Sequence, residues 1–230
     1  MKAYLGIDTS NYTTSCALYF ADNGEVVQKK KLLPVKEGEL GLRQSDAVFS
    51  HIQSLPELSD RLFSQLSDNQ IQAVGVSTKP RAVEGSYMPC FLVGYSHAKL
   101  MADAYKVPLF TVSHQQGHVA ASLWSAGHLE LMDQPHLAWH LSGGTTELLY
   151  VEPWGTAVKC KIIGGTTDVS AGQLIDRTGQ LLGLQFPSGK AIDALAAKCE
   201  NKQQYNMKLN GLTFSLSGVE HKMKQMFERG

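Results

Sequence analysis

The sequence predicts an α/β fold made of two similar lobes, and three observations carry that prediction. Strand-like and helix-like segments alternate along the 230 residues, opening as βββαβα followed by β, the order of a mixed sheet flanked by helices. A strand, small polar turn, strand unit occurs twice, as LGIDTSNYTTSCALY from Leu5 and WHLSGGTTELLYV from Trp139. Aligning Asp8 with Ser142 leaves an offset of 142 − 8 = 134 residues, far beyond the ~20–50-residue period of a solenoid. Hydrophobic residues are 43% and charged residues 18% of the chain, an ordinary globular balance.

The elements follow from local pattern. Lys2–Asp8, Thr13–Phe20 and Glu25–Leu33 read as a meander of three antiparallel strands, with Asn11 and Tyr12 at the first turn and Pro34 ending the third. After the polar stretch Pro34–Ser45, apolar residues at Val48, Ile52, Leu55, Leu58, Leu62 and Leu66 keep helical spacing, and Pro56 is expected to kink or split that helix. Ile71–Val76 is a buried-type strand, Lys79–Met88 a loop, Phe91–Tyr105 a helix and Val107–Val112 a strand. The Met and aromatic residues of Tyr87–Met101 are expected in the core. A second meander is expected at Leu137–Leu141, Thr146–Glu152 and Ala157–Ile163, then helices near Ala171–Leu182 and Ala191–Cys199. The tail from Gly211 offers one strand-like run and the start of an amphipathic helix. These segments divide as a first lobe over 1–112, a helix and linker over 113–135, and a second, incomplete lobe over 136–230.

Composition narrows the function classes. Lys+Arg and Asp+Glu are both 21, which excludes a strongly basic nucleic-acid binder while leaving a local basic patch open. Lys29-Lys30-Lys31 reads as a solvated strand edge, with an RNA contact as the sharper alternative. No apolar run approaches the ~18–20 residues of a membrane span, and the N-terminus lacks the features of a secretory signal. Cys16, Cys90, Cys160 and Cys199 form no CxxC pair; a reducing cytoplasm fits this usage better than a disulfide scaffold or zinc ribbon.

The candidate chemistry sits at three places. Asp8-Thr9-Ser10 ends a strand, where hydroxyls and backbone N–H groups suit phosphate oxygens and a carboxylate can hold a hydrated metal ion. Leu141-Ser142-Gly143-Gly144-Thr145-Thr146 brings the equivalent turn of the second lobe, its two glycines allowing close backbone approach. Two such turns in a duplicated fold suggest the architecture of the actin, sugar kinase and heat-shock ATPase superfamily, with its ribonuclease H-like lobes. His114 and His118, four residues apart, share one helix face as two ligands of one metal would; Ser113 is placed to cap that helix. Gln115 cannot be the base of an HEXXH protease. His136 and His140 repeat the spacing, so spacing alone leaves ordinary surface histidines open. In the small-residue stretch Gly164–Gly189, Asp176 is able to hydrogen-bond a ribose hydroxyl, although the residues alone favour an exposed helix Asp pairing with a neighbouring Arg or Lys.

Together these blocks resemble the tRNA N6-threonylcarbamoyladenosine transferases, long catalogued as O-sialoglycoprotein endopeptidases or glycoproteases. The family blocks LGIETSCDET, HxxGHxxA, LVSGGHT, DDAAGEAFDKxAKLLGLxYPGGP and FSFSGLKT have counterparts here, in the same order. They are LGIDTSNYTT, HQQGHVAA, HLSGGTTEL, TDVSAGQLIDRTGQLLGLQFPSGKA and LTFSLSGVEH. The resemblance implies transfer of a threonylcarbamoyl group from threonylcarbamoyl-adenylate to N6 of the adenosine beside the tRNA anticodon. It implies that His114 and His118 ligate one divalent metal, iron or zinc. It further implies that Ser10, His140, Leu141, Ser142, Gly143 and Gly144 bind the adenylate, that Asp176, Gly189 and Asp193 bind its ribose and base, and that Asp8 is a catalytic candidate. Implied partners are tRNA and small accessory proteins, among them an actin-like paralogue, with a homodimer as an option. The chain differs from the family blocks at Asn11-Tyr12-Thr13, where the family has Cys-Asp-Glu, and at Thr145, where it has histidine. The family usually continues for about another hundred residues, and a third metal ligand is expected there. A non-catalytic scaffold and a metal-dependent glycoprotease are the alternative functions.

Overall fold

The computed structural model describes residues 2–10, 12–35, 42–66, 70–200, 204 and 206–229. Asn11, residues 36–41 of the polar stretch and Gly230 therefore lie outside the described residues. The chain divides into two compact units, Met1–Ser122 and Leu123–Gly230.

The first unit is organised by β1 (Lys2–Ser10), whose side chains alternate between two faces. Ala3, Leu5, Ile7 and Thr9 point into the core, while Tyr4, Gly6, Asp8 and Ser10 point the other way, as the two-residue period of a strand requires. β2 (Thr13–Phe20) and β3 (Glu25–Leu32) complete the expected antiparallel meander. β4 (Gln70–Lys79) lies parallel to the other side of β1, and β5 (Leu109–Ser113) parallel to β4, giving the order β3-β2-β1-β4-β5. β3 is thus an edge strand, and Lys29, Lys30 and Lys31 sit on it. Charge on an exposed edge discourages pairing with another chain.

Two helices cover the core face of this sheet. α1 (Gln44–Phe63) contributes Leu55, Leu58 and Leu62, and α2 (Phe91–Tyr105) contributes Ala98 and Ala102, to a core shared with Leu5, Ile7, Leu18 and Val76. The expected split of α1 at Pro56 does not occur: one element runs through it. Pro56 and Ile52, the residue whose carbonyl loses its helical partner, both lie on the exposed side of the helix. The buried stripe is also rotated from the expected one. His51 and Ser54 are buried while Ile52 is 50% exposed. Of the aromatic residues expected in the core near α2, Phe91 is buried, but Tyr87 in the preceding loop and Tyr95 are exposed.

The second unit repeats the meander as β6 (His136–Leu141), β7 (Thr146–Trp154) and β8 (Ala157–Thr166). Here the added strand joins β8 rather than the first strand. β9 (Leu209–Asn210) and β10 (Thr213–Phe214) form a short hairpin, giving the order β6-β7-β8-β10-β9. α4 (Ala171–Leu181), α5 (Gly189–Ala196) and α6 (Ser217–Glu228) complete the unit. Leu149, Val151, Val158, Leu174 and Leu216 are its buried apolar residues. Asp168 ties two connections together by accepting from the backbone N–H groups of Val169 and Leu216 and from the Ser215 hydroxyl.

Candidate functional site

The parallel pairing of β1 with β4 aligns Ile7 with Val76, so Asp8 and Ser77 emerge side by side where the strands end. β5 ends at Ser113 and leads directly into α3 (His114–Ala126), which delivers His114 and His118 to the same place. The start of α3 is fixed by a reciprocal cap. The Ser113 hydroxyl accepts from the Gln116 N–H at 3.2 Å, and the Gln116 side chain accepts from the Ser113 N–H at 2.7 Å. This satisfies two backbone donors that a helix start otherwise leaves without partners.

The imidazoles stand on successive turns of α3. Their rings meet edge to face with centroids 4.2 Å apart, and the two Nε2 atoms are 2.8 Å apart. His114 Nδ1 lies 3.0 Å from Asp8 Oδ1. The Ser77 hydroxyl donates to that same oxygen, and the Ser10 N–H donates to Asp8 Oδ2 at 3.3 Å. Burial alone would push the Asp8 carboxyl up. The hydrogen bond and charge of His114, with Ser77 and Ser10, outweigh it and hold the carboxyl below its ordinary value. These groups border a cleft of about 510 Å³ whose lining includes Gly6, Asp8, Gly75, Ser77, His114 and His118.

Two converging imidazole nitrogens suit a borderline divalent cation such as zinc or iron, and they fit as two of its ligands. Among the described residues no group of three His, Cys, Asp or Glu side chains could hold a metal ion, so an ion held here would need further ligands beyond the described side chains.

The second unit gathers most of the other expected residues. The Ser142 N–H donates to the Thr145 carbonyl at 2.9 Å, and the Ser142 hydroxyl accepts from the Gly144 and Thr145 N–H groups. Thr145 Oγ1 closes the turn 2.7 Å from Ser142 Oγ. The turn rests on the start of α4: the Ser170 hydroxyl donates to the Gly143 carbonyl at 2.8 Å, and the Ala171 N–H to Thr146 Oγ1 at 2.8 Å. Gly172 makes this approach feasible, since a Cβ there would lie 2.5 Å from the Ser142 carbonyl oxygen. Beyond the adjoining residues of the chain, no atom lies within 4 Å of where side chains of Gly143 and Gly144 would begin. His140 stands opposite Glu147 in the β6–β7 pair, with Nδ1 3.6 Å from its carboxylate, and Leu141 is exposed.

Asp176 on α4 accepts from the Ser188 N–H at 2.8 Å and so holds the start of α5; it does not pair with a Lys or Arg of its own helix. Gly189 opens α5, and Asp193 is exposed one turn further along. Ser77, His51 and the Ser170–Gln173 cap were not among the residues singled out in the sequence. For Ser77 a signal existed, because it ends an apolar strand run as Asp8 does; His51 and Thr14 meet only through the fold.

In both units polar residues collect where the first strand of a meander ends, around Asp8 in the first and Ser142 to Thr145 in the second. Residues 29–228 match the family described as tRNA N6-adenosine threonylcarbamoyltransferase (TsaD). A protein of that name from Thermus thermophilus is 33% identical over 98% of this chain and 68% of its own length. Another from Streptococcus sanguinis is 36% identical over 67% of this chain and 44% of its own length. The chain therefore spans about two thirds of the first relative and less than half of the second. Among solved structures, YeaZ from Pseudomonas aeruginosa aligns at 14% identity over 70% of this chain and 65% of that one, with TM-score 0.44. The Lmo2764 protein of Listeria monocytogenes aligns at 11% identity over 98% and 75%, with TM-score 0.48. The chain belongs to the tRNA N6-adenosine threonylcarbamoyltransferase family, and its two five-stranded sheets with flanking helices are of the mixed α/β class expected from the sequence.

Proposed function

We propose that the chain transfers a threonylcarbamoyl group from threonylcarbamoyl-adenylate to N6 of the adenosine beside a tRNA anticodon. The observation that carries this reading is the convergence of His114 and His118 Nε2 at 2.8 Å beside an open cleft, in a chain of this family. His114 and His118 would hold one divalent metal, iron or zinc. When bound, that ion supplies Lewis-acid polarisation of a carbonyl or phosphoryl oxygen.

The chain's own residues supply position. Ser10 and Asp8 form the end of β1 beside the cleft. The turn from His140 through Leu141, Ser142 and Gly143 to Gly144 would receive the phosphate and acyl part of the adenylate, because its glycines leave the backbone open to close approach. Asp176 anchors Ser188 and so sets where Gly189 and Asp193 stand, the residues assigned to ribose and base. The partners would be tRNA and accessory proteins, including an actin-like paralogue. The setting would be the cytoplasm, in keeping with four cysteines that form no disulfide. No described helix is long and apolar enough to cross a membrane.

A second reading, a non-catalytic scaffold of the same system, is favoured by the lack of a third ligating side chain among the described residues. The two separate in one assay: threonylcarbamoyl-adenylate, unmodified tRNA, accessory proteins and zinc or iron, with the nucleoside product identified by mass spectrometry. The transferase reading expects product from the wild type and its loss in His114→Ala/His118→Ala. Equal product formation by the double variant would sink it.

A further inference from the structure

We propose that Asp8 is a positioning residue that fixes the tautomer of His114 and aims its Nε2 lone pair into the cleft. The inference rests on the metal reading above and specifies how the site is prepared for the ion.

The geometry leaves few choices. A carboxylate only accepts hydrogen bonds, and Asp8 Oδ1 lies 3.0 Å from His114 Nδ1. Nδ1 therefore carries the hydrogen, and in the neutral ring Nε2 is left with its lone pair. That lone pair faces His118 Nε2 at 2.8 Å, so when both rings are neutral and no cation lies between them His118 donates its Nε2 hydrogen to His114. A divalent ion would find the His114 lone pair ready, whereas His118 would first have to move its hydrogen from Nε2 to Nδ1 to offer one. The pair is thus asymmetric, with one imidazole set in the ligating form by Asp8 and the other having to change tautomer before it can ligate.

Asp8 is itself held for this task. Ser77 donates to the oxygen that accepts from His114, and the Ser10 N–H holds the other oxygen. The parallel β1–β4 register brings Ser77 beside Asp8, and the Phe91 ring flanks His114 with centroids 6.1 Å apart. Together the three strand ends and the Ser113 cap fix both partners of the Asp8–His114 bond. A ligating imidazole whose other nitrogen donates to a carboxylate has a set orientation and a more basic ligating nitrogen; losing such a support typically weakens metal binding ~10–100-fold.

Two readouts test this. Long-range 1H–15N correlation spectra of the metal-free protein report the tautomer of each histidine, and zinc titration against a competing chelator reports affinity. The wild type is expected to show His114 protonated on Nδ1 and His118 on Nε2. In Asp8→Ala, His114 should lose that fixed form and zinc should bind about 10–100-fold more weakly. Asp8→Asn, whose amide oxygen accepts the same hydrogen, should keep the tautomer and recover part of the affinity; it serves as the readout if the alanine variant does not fold. His114 protonated on Nε2 in the wild type overturns the proposal whatever zinc does. So does Asp8→Ala with unchanged tautomer and affinity. If the wild type shows the Nδ1 form and binds no zinc, the metal reading falls while the assignment of Asp8 stands.

Discussion

His51 illustrates how much one buried polar side chain controls. It sits on the core face of α1 with no exposed surface, its Nδ1 2.8 Å from the Thr14 hydroxyl of β2. Burial pushes the imidazole below its ordinary value, against the opposing pull of the Ser10 backbone and of Asp8. The native value then lies below the unfolded one of about 6.5. As pH falls through about 6.5 the unfolded chain takes up the proton first, so stability present above that pH is lost on the way down to the native value. The slope per group is at most about 1.4 kcal/mol per pH unit. Asp8 acts in a separate, more acid window, since its lowered carboxyl loses its contribution only below about pH 4. The thermal midpoint, followed by circular dichroism at pH 7.5 and 5.5, should fall in the wild type and fall much less in His51→Gln. Equal falls would remove His51 from the account. The sequence spacing pointed to Ile52 because it is apolar; the fold instead buries His51, whose partner Thr14 lies 37 residues away and leaves no local pattern.

Among the elements, α3 and α4 start with the same device. Ser113 with Gln116, and Ser170 with Gln173, each form a reciprocal cap, and each cap stands directly beside candidate site residues. Ser170→Ala should cost about 1 kcal/mol for the cap and also release the Gly143 carbonyl. Gly172→Ala should cost about 1–3 kcal/mol, as forced overpacking does, because its Cβ would meet the Ser142 carbonyl and Gly143 Cα and push the Ser142–Thr145 turn away from α4. Urea unfolding of both variants checks the order, with Gly172→Ala at least as destabilised as Ser170→Ala; a neutral Gly172→Ala would show that the turn is not docked. The strands and long helices were legible because their periodicities are local, and Ser113 was legible as a cap for the same reason. The β9–β10 hairpin was only half legible, since two-residue strands carry no period. The bond from Asp176 to the Ser188 N–H was not legible, because nothing in the sequence links a helix carboxylate to a backbone donor twelve residues on.

At the scale of the whole molecule, two units repeat one meander and then diverge, with β4 joining β1 in the first and β10 joining β8 in the second. The repeat could be read from two strand-turn-strand segments; the divergence could not, because it depends on which sheet edge a distant strand reaches. The family was legible from the order of five blocks, and the structure adds the link between the first two of them: Asp8 from LGIDTS supports His114 from HQQGH. The central claim is that His114 and His118 bind one divalent ion. Its most direct test is metal content by plasma mass spectrometry on the wild type and on His114→Ala/His118→Ala, each loaded with zinc or iron and desalted. The account predicts about one ion per wild-type chain and none on the double variant. No metal on the wild type, or the same content in both proteins, would contradict it.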